Sequence, residues 1–123
     1  MSIHPINGAL RFLLELVVII TFGKWGYSLS DSRIAILLAL LMIALFAVTW
    51  GVFAVKDDPS RSGKTVIPTP GPLRLLLELM LFGSAAWMLF NLGYNTPALI
   101  FGGITILHYS ISYDRIRWLL KQR

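Results

Sequence analysis

The sequence contains no cysteine, only two histidines, and charged residues at only 14% of its positions, against about 25% in typical soluble domains. Without thiols, disulfide bonds and cysteine nucleophiles are excluded. The Glu-x-x-His pattern of carboxylate-bridged metal bundles is absent, and so is a hydrolase elbow around a serine. We therefore expect no enzymatic activity, no catalytic residues, no cofactor and no bound metal.

Hydrophobic residues are abundant and make up 56% of the 123 residues. Four apolar stretches are each about 20 residues long, the length that an α-helix needs to cross the hydrocarbon core of a bilayer. They cover residues 9–27, 33–55, 73–92 and 97–117. The sequence therefore predicts an all-α membrane protein with four transmembrane helices, in a single domain that covers residues 1–123.

The net charge of +5 is distributed unevenly along the chain. Only Lys24 and Arg33 lie in the turns on one side of the predicted spans. Nine basic residues lie toward the other side: Arg11, Lys56, Arg61, Lys64, Arg74, Arg115, Arg117, Lys121 and Arg123. Because cytoplasmic loops carry an excess of Lys and Arg, both termini are expected in the cytoplasm, with the protein in the inner (plasma) membrane. This pattern is typical of a lipid-embedded protein and does not indicate nucleic-acid binding.

The chain contains an internal repeat. Residues 8–16 and 71–79 are identical at seven of nine positions, with an offset of 63 residues. We interpret the chain as two tandem helical hairpins, at about 8–55 and 72–118, joined by a cytoplasmic linker at 56–71. Each hairpin has two spans, so both enter the membrane from the same side and the repeats are parallel.

The repeat places one Arg and one Glu in each copy, Arg11 with Glu15 and Arg74 with Glu78. A charge at the centre of a membrane helix costs at least about 2.5 kcal/mol and usually faces protein or water. Within a helix the favourable order is acid before base, which is the reverse of the order here. We therefore predict crossed tertiary pairs, Arg11 with Glu78 and Arg74 with Glu15.

Polar residues in the last predicted span lie at a comparable depth. His108 and Ser112 are four residues apart and share one helix face, while Tyr109 lies on the neighbouring face and Asp114 follows near the cytoplasmic boundary. The histidine suits either a hydrogen-bonded core position or proton handling. The predicted polar intramembrane cluster comprises Arg11, Glu15, Arg74, Glu78, His108, Tyr109, Ser112 and Asp114.

Several motifs together resemble one known family. They lie at residues 10–16, 23–26, 50–53, 72–79 and 112–116. On these motifs the chain resembles the YrdB-like family of small bacterial membrane proteins, a domain of unknown function. The resemblance covers nearly the whole chain and implies a four-span membrane protein, but it brings no activity with it.

Two functions are compatible with an intramembrane Arg, Glu and His layer. The first is a small transporter or channel-like protein for protons, ions or a small solute, because paired acids at bilayer depth recur in such pathways. The alternative is a non-transporting membrane scaffold or partner subunit whose charged layer is structural. Besides the lipid bilayer, the expected partner is a second copy of the chain, as a homodimer, or another membrane protein.

Overall fold

The computed structural model describes residues 5–56, 58 and 65–122 of the chain. In chain order the elements are α1 (Pro5–Ser28), α2 (Ile34–Val52), β1 (Phe53–Ala54), β2 (Ile67–Pro68), α3 (Gly71–Asn91), α4 (Asn95–Ile111) and α5 (Tyr113–Lys121). The basic residues Arg61, Lys64 and Arg123, which entered the prediction of topology, lie outside the described residues. The fold is helical, as the composition predicts.

Within the described residues, three helices, α1, α2 and α3, are long and apolar enough to cross a membrane. The molecule also exposes many large apolar side chains, and in α2 only Ala35 and Phe46 are buried. Leu40, in the middle of α2, is 60% exposed. A helix that is apolar around its whole circumference, yet is little covered by protein, is suited to lipid contact. These features indicate a membrane protein.

The predicted last span, 97–117, is not one helix. The chain leaves helical geometry at Ser112, where φ is −90° and ψ is 26°, and continues as the separate helix α5. The bend turns Arg115 and Leu119 toward α3, where both are buried. A straight extension of α4 would carry them away from that contact, so tertiary packing overrides the helical continuity that the sequence pattern suggests.

The turn between α3 and α4 depends on a glycine. Gly93 has φ of +90°, a conformation that L residues with a Cβ rarely adopt. The N–H of Gly93 donates to the carbonyl of Phe90, and the N–H of Tyr94 donates to the carbonyl of Leu89. These bonds satisfy carbonyls that the end of α3 leaves without helical partners, and they set the two helices side by side.

The linker between the two hairpins begins and ends in a short parallel pairing. Phe53 pairs with Ile67 and Ala54 with Pro68, and the N–H of Thr69 donates to the carbonyl of Ala54 at 2.8 Å. The predicted linker 56–71 is thus tied to the bundle at both ends. In its described part, Asp58 and Thr69 are buried.

Two glycines allow helices to approach closely. A Cβ at Gly26 would lie 2.5 Å from the carbonyl oxygen of Leu38, so α1 and α2 are in contact there at backbone level. A Cβ at Gly71 would overlap the carbonyl group of Leu119 in α5, and the N–H of Gly71 donates to the carbonyl of Gln122. The start of α3 therefore packs against α5 at backbone level.

Aromatic rings connect the apolar core to the polar end of the bundle. The ring of Phe46 stacks on Trp50 with centroids 5.4 Å apart, and Trp50 meets Phe82 edge-on at 5.5 Å. Phe82 in turn lies 5.9 Å from Tyr109. Because stacked and edge-on pairs hold rings in defined orientations, they fix the polar tips of Trp50 and Tyr109.

Candidate functional site

The charged residues of the repeat meet between α1 and α3, which pack side by side. Arg11 and Glu15 lie one turn apart on α1, and Arg74 and Glu78 lie one turn apart on α3, so each pair faces the same direction. Together with residues from α2, the linker, α4 and α5 they form one group, which we call the Glu78 cluster. Its members are Arg11, Glu15, Trp50, Asp58, Arg74, Glu78, Tyr109 and Arg115.

The carboxylate of Glu78 is at the centre of the cluster and is completely buried. Its Oε2 lies 3.1 Å from Nη2 of Arg11 and 2.8 Å from Nε of Arg74. Nη1 of Arg115 donates to Oε1 at 2.9 Å and Nη2 donates to Oε2 at 2.9 Å. The hydroxyl of Tyr109 also donates to Oε1, at 2.7 Å. Three guanidinium groups and one phenol therefore surround a single carboxylate.

Arg115 bridges two carboxylates. While its two terminal nitrogens bind Glu78, Nη2 also donates to Oδ2 of Asp58 at 2.7 Å, which ties the linker to α5. Burial opposes the charge of Arg115, but the hydrogen bonds and charges of Glu78 and Asp58 outweigh that cost and raise its pKa above the ordinary value. Its Nε is buried and has no hydrogen-bond partner in the part of the chain that the structure describes.

Trp50 lies between the two arginines of the repeat. The guanidinium carbon of Arg11 is 4.9 Å from the centroid of its ring and that of Arg74 is 4.5 Å away, both within cation–π range. The indole N–H donates to Oε1 of Glu15 at 3.0 Å. Nη1 of Arg74 donates to the carbonyls of Trp50 and Phe53, at 2.7 and 2.5 Å, which caps the carboxyl end of α2 with a cation.

The charges of the cluster balance. Among the residues that the structure describes, three guanidinium groups meet three carboxylates, from Arg11, Arg74, Arg115, Glu15, Glu78 and Asp58. Burying unpaired charges is expensive, whereas paired and hydrogen-bonded charges are tolerated. Equal numbers of the two signs therefore make this arrangement possible within an apolar bundle.

The predicted crossed pairing is present in only one of its two halves. Arg11 reaches Glu78, as predicted, but Arg74 pairs with Glu78 on its own helix instead of with Glu15. The side chain of Glu15 is 24% exposed, with Nε of Arg11 3.6 Å away. Trp50 explains why Arg74 and Glu15 do not pair. Its ring packs against Arg74, and its indole N–H donates to Glu15. The two copies of the repeat thus have different environments.

The other predicted members divide between two places. Tyr109 belongs to the Glu78 cluster, whereas His108 and Ser112 form a neighbouring network with Asn7 of α1. Asn7 donates from Nδ2 to Oγ of Ser112 at 2.6 Å, so its Oδ1 accepts from Nδ1 of His108 at 2.8 Å. Asp114 is a correction to the prediction. It is exposed and accepts from the backbone N–H of the next residue, because the bend at Ser112 turns it outward.

The sequence-based prediction of the cluster left out Arg115, which was counted among the basic residues that indicate topology. A signal was present in the sequence, because Arg115 follows His108 by seven residues and precedes Leu119 by four, a spacing that returns to one face of a helix. The break at Ser112 interrupts this face, but Ser112, Arg115 and Leu119 are all buried.

Asp58 and Trp50 were also missed, for a different reason. Asp58 belongs to a polar linker segment that gives no sign of burial, and it reaches Arg115 through a contact between residues 57 positions apart. Tryptophan is common at membrane interfaces, so the sequence alone does not indicate that Trp50 belongs to a charged cluster. Its position between Arg11 and Arg74 follows only from the packing of three helices.

Comparisons with known proteins agree with the resemblance noted from the motifs. The family described as protein of unknown function (DUF2568) matches residues 9–106, a range that contains both Arg and Glu pairs of the repeat. The uncharacterized protein YrdB of Bacillus subtilis (strain 168) is 38% identical over 121 residues, which is 98% of this chain and 98% of that protein. No solved structure matches.

Proposed function

The chain belongs to the DUF2568 family of proteins of unknown function, and we propose that it is a membrane scaffold or partner subunit that neither transports solutes nor catalyses a reaction. In this proposal the Glu78 cluster is structural and joins the helices. The partner is a second copy of the chain or another membrane protein. One observation carries the proposal: Glu78 is fully buried and fully engaged by Arg11, Arg74, Arg115 and Tyr109.

The engagement of Glu78 argues against a role in carrying protons or ions. A carboxylate in a relay must exchange its partners or take up a proton in each cycle. Charge-assisted hydrogen bonds are about twice as strong as neutral ones, and here several would have to break together at a fully buried position. Such a group is suited to holding elements in place.

The finer topology is part of the same proposal. Helix α4 has 17 residues, or about 25 Å at 1.5 Å per residue, which is at the short end of the range for a membrane-spanning helix. With α4 as a fourth span, the linker and α5 lie on one side of the membrane. The excess of basic residues there supports placing both termini in the cytoplasm and the protein in the inner membrane.

The repeat supports two parallel hairpins. The first helices of the two halves, α1 and α3, are neighbours, and their equivalent arginines, Arg11 and Arg74, face the same ring of Trp50. Two copies entering the membrane from the same side would place these arginines at similar depth. The asymmetry between Glu15 and Glu78 then arises because Trp50 binds Glu15, whereas Arg115 of α5 binds Glu78.

The topology can be tested directly because the chain has no native cysteine. Single cysteines are introduced at the exposed positions Asp31, Thr96, Lys56 and Lys121, and labelled with a membrane-impermeant maleimide. Cysteines at 31 and 96 are expected to react from outside intact cells, and those at 56 and 121 only in inverted vesicles. If position 121 reacts on the same side as positions 31 and 96, α4 does not cross the membrane and the four-span arrangement is wrong.

Transport remains a second candidate because of one observation, the environment of Glu15. Unlike Glu78, this acid is partly exposed, accepts one hydrogen bond from Trp50 and has its nearest cation 3.6 Å away. A loosely held acid within an apolar helix can exchange protons or cations more readily than a saturated one. If the protein carries ions, Glu15 is the residue we expect to carry them.

Flux measurements in reconstituted liposomes separate the two candidates. We expect the parent protein to show no flux of protons, monovalent ions or small solutes above that of protein-free liposomes. Glu15→Gln should likewise show no flux above that of protein-free liposomes, and it should remain folded because the residue is partly exposed. Flux in the parent that is lost in Glu15→Gln and kept in the exposed control Asp114→Asn would favour transport and contradict the scaffold proposal.

A further inference from the structure

A groove lies at the end of the bundle opposite the Glu78 cluster. It is bounded by α1, α2 and the turn between α3 and α4, and its volume is about 460 Å³. Gly23 and Ala39 are small residues of its lining, and Ile43 and Leu92 supply apolar walls. The side chain of Ile43 packs over Gly23, where an added Cβ would lie 3.0 Å from the Cδ1 of Ile43. This volume falls within the range of about 300–1,000 Å³ typical of small-molecule sites.

Among the described residues that line the groove, one is a cation. Lys24 lines it, and the Nζ of Lys24 lies 5.4 Å from the centroid of the Tyr94 ring, which also lines the groove. Within residues 5–56, 58 and 65–122, every ion pair belongs to the Glu78 cluster, so Lys24 has no carboxylate partner there. The groove therefore combines apolar walls with a positive charge that is available to an anion.

Aromatic residues beside Lys24 indicate its depth. Trp25 packs edge-on against Trp87 with centroids 5.8 Å apart, and its indole N–H donates to Oδ1 of Asn91 at 3.0 Å. Tryptophan and tyrosine concentrate at the level of lipid headgroups, where one part of the ring contacts hydrocarbon and the other meets water. The adjacent ammonium group of Lys24 is thus placed at headgroup level.

We propose that this groove binds an anionic phospholipid. The phosphate group pairs with Lys24 beside Tyr94, and an acyl chain lies along Ala39, Ile43 and Leu92. A zwitterionic lipid would bring its own cation close to the ammonium group and would gain less from the contact. The inference rests on charge complementarity at Lys24 and is independent of the proposed scaffold function.

Lipid competition tests the site. The purified protein is equilibrated in mixed micelles with equal amounts of phosphatidylglycerol and phosphatidylcholine of identical acyl chains, and bound lipid is counted by native mass spectrometry. We expect the parent to retain phosphatidylglycerol about fivefold more than phosphatidylcholine, the preference that one lysine near a membrane surface provides. Lys24→Gln should bring this ratio close to one, and Lys24→Arg should restore most of it.

Two further variants make the test specific. Lys121→Gln removes an exposed lysine at the opposite end and should leave the ratio unchanged. Ala39→Phe fills the groove and should reduce the retention of both lipids. The proposal is overturned if Lys24→Gln keeps the parent ratio, if Lys121→Gln lowers it equally, or if Ala39→Phe leaves retention unchanged, since the last result would indicate surface attraction without a groove.

Discussion

Replacing Glu78 by Gln is expected to lower the free energy of unfolding by about 3–5 kcal/mol, which is the effect of removing one partner from a buried ion pair. The substitution keeps the shape of the side chain but removes its charge. Arg11, Arg74 and Arg115 would then converge on a neutral amide that has only one acceptor oxygen, at a fully buried position. Reversible unfolding in mixed micelles measures the change.

The repeat provides a matched control. Glu15→Gln makes the same chemical change at the equivalent position of the other copy, but this side chain is 24% exposed and pairs at 3.6 Å. Partly exposed pairs contribute about 0–1 kcal/mol, so the control should unfold close to the parent. Equal destabilisation by the two substitutions, or a parent-like Glu78→Gln protein, would contradict the structural role of the cluster.

Replacing Arg115 by Met is expected to release α5 from the bundle. The side chain makes three hydrogen bonds to the carboxylates of Glu78 and Asp58, and each bond to a charged group is worth about 1.5–3 kcal/mol. Methionine fills a similar volume without these bonds. Losing the free energy of even one such bond should make the backbone amides of residues 113–121 exchange with deuterium at least about 10 to 100 times faster, as measured by mass spectrometry.

Arg117 is the control for this effect. It lies two residues further along α5 and is exposed, so Arg117→Met removes the same charge from the same helix without disturbing the cluster. Exchange in α5 should match that of the parent. Unchanged exchange in Arg115→Met would show that other contacts, such as that of buried Leu119, hold α5 in place. Equally accelerated exchange in both variants would show that the effect is not specific to the cluster.

Local patterns in the sequence were enough to predict much of the fold. The apolar stretches predicted the ends of α1, α2 and α3 to within a few residues, because helices in contact with lipid must be long and apolar. The repeated Arg and Glu also pointed to a buried charged site, since an uncompensated charge in such a helix is costly. The contact of Arg11 with Glu78 follows from this reasoning.

What could not be predicted depends on contacts between distant segments. The break at Ser112 arises because α5 packs against Gly71, and the burial of Asp58 arises because the linker returns to the bundle through the pairing of β1 with β2. Neither contact leaves a periodic trace in the sequence. The same holds for Trp50, which lies between Arg11 and Arg74. With Trp50 in this position, Arg74 pairs with Glu78 and not with Glu15.

The position of Glu78 in the chain also has a consequence for biosynthesis. Arg11 precedes Glu78 by 67 residues, so at about 5–20 residues per second it leaves the ribosome roughly 3–13 s before its main counter-ion. During this interval the nascent first hairpin contains one nearby acid, Glu15, one helical turn away. We expect Glu15 to balance the charge of Arg11 until the second hairpin is made, and the pair persists at 3.6 Å beside Glu78 in the folded protein.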